Sequence, residues 1–157
     1  MDNYEESMLK AFINKPEKYD WYKKSFSKFD INGVPNMKWN WSWWSFFGVS
    51  SFLLYRKAYL AALIVFIVTV VTAPIPFIGL IIAILVGGYG TYFIYKRYLK
   101  KKLEIESNIT DKNERILAME KIGGYNQWVI WVHYGFVILT IIGIIAAVVI
   151  PKLSGVQ

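Results

Sequence analysis

Apolar positions in this chain are gathered into two long uncharged blocks, preceded and separated by amphipathic stretches. No residue from Ala58 to Tyr95 carries a charge, and none does from Ile122 to Pro151. Uncharged apolar runs above ~18 residues read as membrane spans rather than as helices of a water-soluble core. As one helix the first block would extend ~57 Å, nearly twice the ~30 Å thickness of the hydrocarbon layer. It is interrupted at "APIPFIG", where Pro74 and Pro76 lack the amide proton a helix interior uses and bias their predecessors away from helix. The pattern predicts a hairpin over 57–96, with one span near 57–74, a tight turn, and a second span near 77–96. A re-entrant pair meeting mid-membrane stays open as the alternative, because irregular backbone at that depth needs shelter. The second block predicts a third span from about Gln127 to Ile150, ended by Pro151–Lys152. The predicted fold class is an all-α integral membrane protein with three transmembrane helices.

The stretch "NWSWWSFFGVSSFLLY" before the first block is apolar but softened by Ser42, Ser45, Ser50 and Ser51. Trp39, Trp41, Trp43 and Trp44 suit the headgroup level, where an apolar ring body and one polar N–H are both satisfied. Residues 38–56 therefore predict an interfacial aromatic helix; a soluble aromatic core segment is the alternative. Setting Arg56 and Lys57 at the headgroups avoids ~3 kcal/mol for each cation placed at the bilayer centre. Upstream, over 1–37, Tyr19, Tyr22, Phe26 and Phe29 share one helical face, and Tyr4, Met8, Ala11 and Phe12 form a similar stripe. These predict two short amphipathic helices, packed on each other or lying on the membrane. Pro16 suits a first helical position and Asn32–Gly33 a stop. Residues 97–126 read as a charged loop holding one short helix within "TDKNERILAMEKIGG". Asp111 and Glu114 resemble a capping box there, and Gly123–Gly124 end it. Residues 127–157 comprise the third span and a short tail.

Charge gives the threading a direction. The net charge is +7, and of 18 Lys and Arg residues nine lie in 1–57, eight in 96–121 and one in the tail. The positive-inside bias puts the N-terminal region and the 96–121 segment in the cytoplasm, with the proline turn and the C-terminus outside. A nucleic-acid surface is disfavoured, since Lys96, Arg97, Lys100, Lys101 and Lys102 abut an apolar run and no binding motif accompanies them. The partner they imply is anionic lipid of the cytoplasmic leaflet, worth ~1 kcal/mol per cation near the surface. Aromatic residues agree: Tyr55 and Tyr59 flank the first span, Tyr95 and Tyr98 the second, Trp128 and Trp131 the third. "MDNYEESMLK" opens acidic with no apolar core behind it, so no signal peptide is expected.

Candidate chemistry is sparse. The chain has no cysteine, hence no disulfide, thiolate metal site or covalently attached haem. His133 is the single histidine and no Asp, Glu or Cys shares the spans, so neither a metal site nor a proton relay is legible. "GGYG" at Gly87–Gly90 has no preceding strand and no following Lys-Ser/Thr, which excludes a phosphate loop. Gly79, Ala83 and Gly87 recur every four residues, a small-residue stripe that lets a helix approach closely, and Gly135, Gly143 and Ala147 give the third span a comparable flank. These stripes serve internal packing or contact with another protein. "IGIIAAVVIPKL" resembles a type IV pilin helix but lacks the glutamate and processed glycine at the matching positions, Tyr134 and Val129. No catalytic, cofactor-binding or metal-ligating residue is expected.

Four segments resemble a family of small bacterial inner-membrane proteins defined only as a domain of unknown function. They are Tyr19–Asp30, "WNWSWWSFFG" (Trp39–Gly48), "LLYRKAYL" (Leu53–Leu60) and "GGYNQW" (Gly123–Trp128). Where the family often reads Asn-Trp-Ala-Ala and Gly-Pro, this chain has Ser42–Trp43 and Gly48–Val49. The resemblance implies a bacterial, membrane-embedded protein with a cytoplasmic N-terminus and brings no catalytic residue. The function these features favour is a non-catalytic accessory or scaffold subunit of a larger membrane complex, with other membrane subunits or its own copies as partners. A homo-oligomeric channel or small transporter is the alternative; a membrane enzyme comes third, because Glu104, Glu106, Glu114 and Glu120 show no pairing with a histidine or nucleophile, and a lipid-binding surface protein overlaps the first reading.

Overall fold

The structure, a computed structural model, describes residues 3–31 and 33–153, with side chains through residue 150. It is all-α apart from one two-residue strand pair. The helices are α1 (Asn3–Ile13), α2 (Tyr19–Phe29), α3 (Trp43–Gly48), α4 (Ser50–Tyr55), α5 (Tyr59–Thr72), α6 (Ile78–Asn108), α7 (Lys112–Ile122) and α8 (Trp128–Leu153). A 3-10 turn at Pro16–Lys18 leads into α2. After α2, β1 (Asp30–Ile31) and β2 (Val34–Pro35) pair antiparallel. The chain divides into two compact units, residues 1–126 and 127–157.

The first unit is built on an aromatic seam. Both amphipathic stripes predicted near the N-terminus turn inward: Met8, Leu9, Phe12 and Ile13 of α1 and Tyr22, Phe26 and Phe29 of α2 are buried. They meet the second half of α6, where Tyr98 packs on Phe12 (ring centroids 5.1 Å apart), Tyr95 on Phe26 (5.2 Å) and Tyr92 on Phe29 (5.5 Å). Large aromatic side chains bury the most apolar area per residue, so this seam dominates the unit's packing. Met119 of α7 is fully buried in the same core.

Four elements differ from the sequence pattern. Residues 97–108 are not loop: α6 runs unbroken for 31 residues, through its basic cluster. Lys and Glu are good helix formers, and this extension is pinned sideways by Lys102 on Glu5 (2.6 Å) and by Tyr4, whose hydroxyl donates to Glu106 Oε1 (3.1 Å). The aromatic stretch is not one helix. Residues 36–42 lack helical structure, and α3 and α4 are separated by Val49 at φ +41°, a conformation costly for a β-branched residue. Finally, α8 continues past Pro151 to Leu153, and α2 ends at Phe29, before the Asn-Gly pair. Gly33 (φ +80°) serves the strand turn, its N–H donating to Asp30 Oδ1. Asn32 and the tail beyond Leu153 lie outside the described residues.

Two helices are apolar and long enough to cross a membrane, α6 and residues Trp128–Ile150 of α8; α5 is apolar but has 14 residues. At 1.5 Å per residue α5 rises ~21 Å, short of the ~30 Å hydrocarbon layer.

Candidate functional site

Two constellations of the first unit collect the sequence-predicted residues. The first is an aromatic platform on α6. Residues 39–42 run along the helix, Asn40 N–H donating to Gly88 O and Ser42 N–H to Gly87 O (both 2.9 Å). A Cβ on Gly88 would lie 2.3 Å from the Trp39 ring, and one on Gly87 2.9 Å from that of Trp41, so the missing side chains are what let the indoles lie on the helix. Ser45 is fully buried and its hydroxyl donates to Val86 O (2.7 Å), occupying the space a side chain on Gly90 would need. Ser42 caps α3 by accepting from Ser45 N–H. Asn40, also buried, uses both ends of its amide: Nδ2 donates to Ser25 Oγ (3.2 Å) and Oδ1 accepts from Lys28 Nζ (2.8 Å). Trp43 and Trp44 are 61% and 70% exposed, Trp43 meeting Trp41 edge to face (5.1 Å) and Trp44 lying under the Lys18 ammonium (5.9 Å).

The second is a basic joint between α4 and α5. The chain leaves α4 through a Schellman motif, with Ala58 N–H bonded to Leu53 O and Lys57 N–H to Leu54 O. Lys57 (φ +58°) fills the left-handed position that glycine usually takes. This turn throws Arg56 and Lys57 inward. Arg56 is 2% exposed; its guanidinium stacks on Tyr22 (4.7 Å) and donates to Ile13 O at the end of α1 (3.3 Å). Lys57 Nζ donates to Gly123 O, and Arg97 stacks on Phe12 (5.1 Å) and donates to Ile122 O, both at the end of α7. Lys15 completes the group: its ammonium donates to the Tyr55 hydroxyl (3.3 Å) and lies over the Tyr125 ring.

Among the described residues no carboxylate pairs with Arg56, Lys57 or Arg97. The compensating charge comes from the helix ends themselves: each C-terminus carries roughly −0.5 elementary charge, and cations there contribute typically 0.3–1 kcal/mol, up to ~2 when partly buried. The aromatic faces add cation–π attraction. Burial likewise pushes the Tyr22 phenol above its ordinary pKa, although the neighbouring Arg56 charge opposes this. The α4 terminus is served separately, by Asn126 Nδ2 on Leu54 O and Asn126 N–H on Tyr55 O. Gly123 is required because a Cβ there would lie 2.8 Å from the Phe12 backbone, where α7 ends against α1.

The structure thus sorts the predicted residues. Arg56, Lys57 and Arg97, read as headgroup anchors, instead face protein carbonyls, because the ends of α1 and α7, 25 to 66 residues away along the chain, lie beside them. Lys96 remains exposed. Gly87 of the α6 stripe receives its own chain's tryptophans, Ala83 is half-buried, and Gly79 has nothing within 4 Å. In the second unit Trp128 and Trp131 are 54% and 73% exposed, Gly135 and Gly143 face open space and Ala147 is exposed. The sequence reading gave Asn40 no role, took Ser45 only as softening the aromatic stretch and Gly123 only as a helix end; their contacts with α6 and α1 have no signal beyond a small or polar residue in an aromatic or helix-ending motif. The described residues contain no cluster of three or more metal-ligating side chains. No family model, curated protein or solved structure matches this chain.

Proposed function

We propose that this chain is a small, non-catalytic integral membrane protein, an accessory or scaffold subunit of a larger assembly in a bacterial inner membrane. In this reading the basic unit of α1, α2, α7 and the end of α6 lies in the cytoplasm against anionic lipid, and α8 crosses to an external C-terminus. The observation that carries it is α8, whose most apolar 18-residue window is wholly unburied while Gly135 and Gly143 offer a backbone open to close approach. Lipid covers such a helix, and small residues are where a second helix packs against it. The carboxylates support a non-catalytic role: Glu5, Glu6, Glu104 and Glu106 pair with lysines, not with a histidine or a nucleophile. The channel alternative draws little support from the threonines. Thr69, Thr72 and Thr140 each donate to a carbonyl one turn back on their own helix, and Thr91, whose hydroxyl has no partner, is fully buried inside the first unit.

The test is purification of the N-terminally tagged full chain from native membranes in mild detergent, followed by mass spectrometry. A partner recovered at fixed stoichiometry, and lost in Gly143→Leu, is the expected result. A homo-oligomer with nothing attached overturns the subunit reading and directs the next measurement to ion flux in liposomes.

A further inference from the structure

We infer that the α5–α6 hairpin enters one leaflet of the bilayer and turns back inside the hydrocarbon without crossing. This rests on the membrane reading above but replaces two of the three predicted crossings.

The platform on α6 sets the water line. Trp39 and Trp41 lie on Gly88 and Gly87, and Asn40, bonded to the Gly88 carbonyl, holds the Lys28 ammonium at the same level. An indole belt with a cation beside it belongs at the headgroups, not at the bilayer centre. The uncovered apolar surface of α6 stops at that level. Leu80, Ile81, Ile84 and Leu85 are exposed, and no further large apolar side chain of α6 is exposed until Leu103, beyond the lysines. From Gly88 to the turn at Phe77 the helix rises only ~16 Å, about half of the ~30 Å hydrocarbon layer. Neither arm reaches the far side, since α5 itself rises ~21 Å.

The turn is made for that environment. Residues 73–77 read Ala-Pro-Ile-Pro-Phe with no polar side chain, and Ile75 and Phe77 are 55% and 81% exposed. A turn emerging into water on the far side would place this apolar tip in contact with it, and no Trp or Tyr lies near to mark a second interface. Unpaired amides are what exclude irregular backbone from hydrocarbon. Here Pro74 and Pro76 have no N–H to satisfy, while Ala73 and Ile75, with Ile78 beyond them, donate to Val70, Thr72 and Ile75 carbonyls, which leaves the Phe77 amide as the one N–H of residues 73–77 without a carbonyl partner. The Thr72 hydroxyl is likewise bonded to Val68 O (2.6 Å). The Lys and Arg distribution is unchanged by this threading, because the proline turn carries none of either.

The absence of cysteine makes the test direct. Single variants Ile75→Cys and Asn108→Cys of the full chain are treated in sealed inner-membrane vesicles of known orientation with a membrane-impermeant maleimide. The expected result is Asn108→Cys labelled from the cytoplasmic face only, and Ile75→Cys labelled from neither face yet fully after detergent. A nitroxide on the Ile75→Cys protein should then be relaxed more by oxygen than by a water-soluble nickel chelate. Labelling of Ile75→Cys from the external face would overturn the inference in favour of a crossing hairpin. Labelling from the cytoplasmic face would overturn it by placing the turn in water. Release of the protein by alkaline carbonate would instead remove the membrane reading on which both threadings rest.

Discussion

Helices α6 and α8 both contain uncharged apolar runs, but half of the most apolar window of α6 is buried and none of that of α8 is. On α6, Gly87 and Gly88 are filled by indoles of the same chain, and Ile94 is fully buried in the core that α6 shares with α1 and α2. On α8, Gly135 and Gly143 meet nothing within 4 Å, and Ile138, Leu139 and Ile142 are more than half exposed. Hydropathy alone admits both as candidate spans; what further separates them is the polar material nearby. Wherever Asn40, Ser45 and Lys28 can bond to the helix backbone or to one another, apolar surface is turned into a protein core. Where no such segment exists, the same kind of surface stays uncovered.

The comparison is broken most strongly in the aromatic seam. Phe29→Ala removes a fully buried ring that contacts Tyr92 and Tyr95, and a loss of about 3–5 kcal/mol is expected. Leu139→Ala, at a position 66% exposed, is expected to leave unfolding of the first unit unchanged. Denaturant unfolding in micelles, followed by tryptophan fluorescence, checks both.

A smaller effect separates the glycines. Gly88→Ala places a methyl 2.3 Å from the Trp39 ring, so the indole must leave its seat, at a cost of about 1–3 kcal/mol. Gly143→Ala has open space and improves helix propensity, so it should be neutral or slightly stabilising. Thermal unfolding and the near-ultraviolet tryptophan signal should change in the first variant and not in the second.

How much of this was legible follows from the range of the forces involved. The uncharged blocks, the Asp111 cap on α7 and the inward stripes of α1 and α2 are local patterns, and the structure has an element at each. The continuation of α6 was hidden because a lysine run after an apolar block looks like the end of a helix. Its support, Glu5 and Tyr4, lies about a hundred residues away. Arg56 was misplaced for the same reason: its carbonyl partner is 43 residues distant, and no charge pattern announces a helix C-terminus as a counter-ion. The stripe at Gly79, Ala83 and Gly87 was legible as a packing face, but its occupant at Gly87 was not.

The basic joint gives the next contrast. Arg56→Ala leaves Ile13 O uncapped and Tyr22 uncovered, and a loss of about 1.5–3 kcal/mol is expected for a hydrogen bond from a charged donor. Arg56→Met fills the space and also removes a buried charge whose Nε and Nη2 have no partner, so it should be clearly the more stable of the two. Lys96→Ala, on the exposed side of α6, should stay within about 0.5 kcal/mol of the parent protein. Parity between the alanine and methionine variants would mean that charge capping, not packing, sets the value of the joint.

The smallest expected effect lies on the outer surface of α1 and changes with pH. Lys10 (2.8 Å) and Lys23 (3.7 Å) flank the Glu6 carboxylate, and the hydrogen bond from Lys10 holds its pKa below the ordinary carboxylate value. A depressed folded-state pKa means that the folded chain holds the proton less tightly than the unfolded one. The stabilisation is therefore complete above the ordinary carboxylate range and is lost as pH falls through the depressed value. Glu6→Gln should lower the melting temperature slightly at neutral pH and make no difference in strong acid, where the parent has lost the same interaction. Because the pair is solvent-exposed, added salt should shrink the neutral-pH difference as well. A gap between the two proteins that persisted in acid would show that Glu6 acts through packing or hydrogen bonding rather than through its charge.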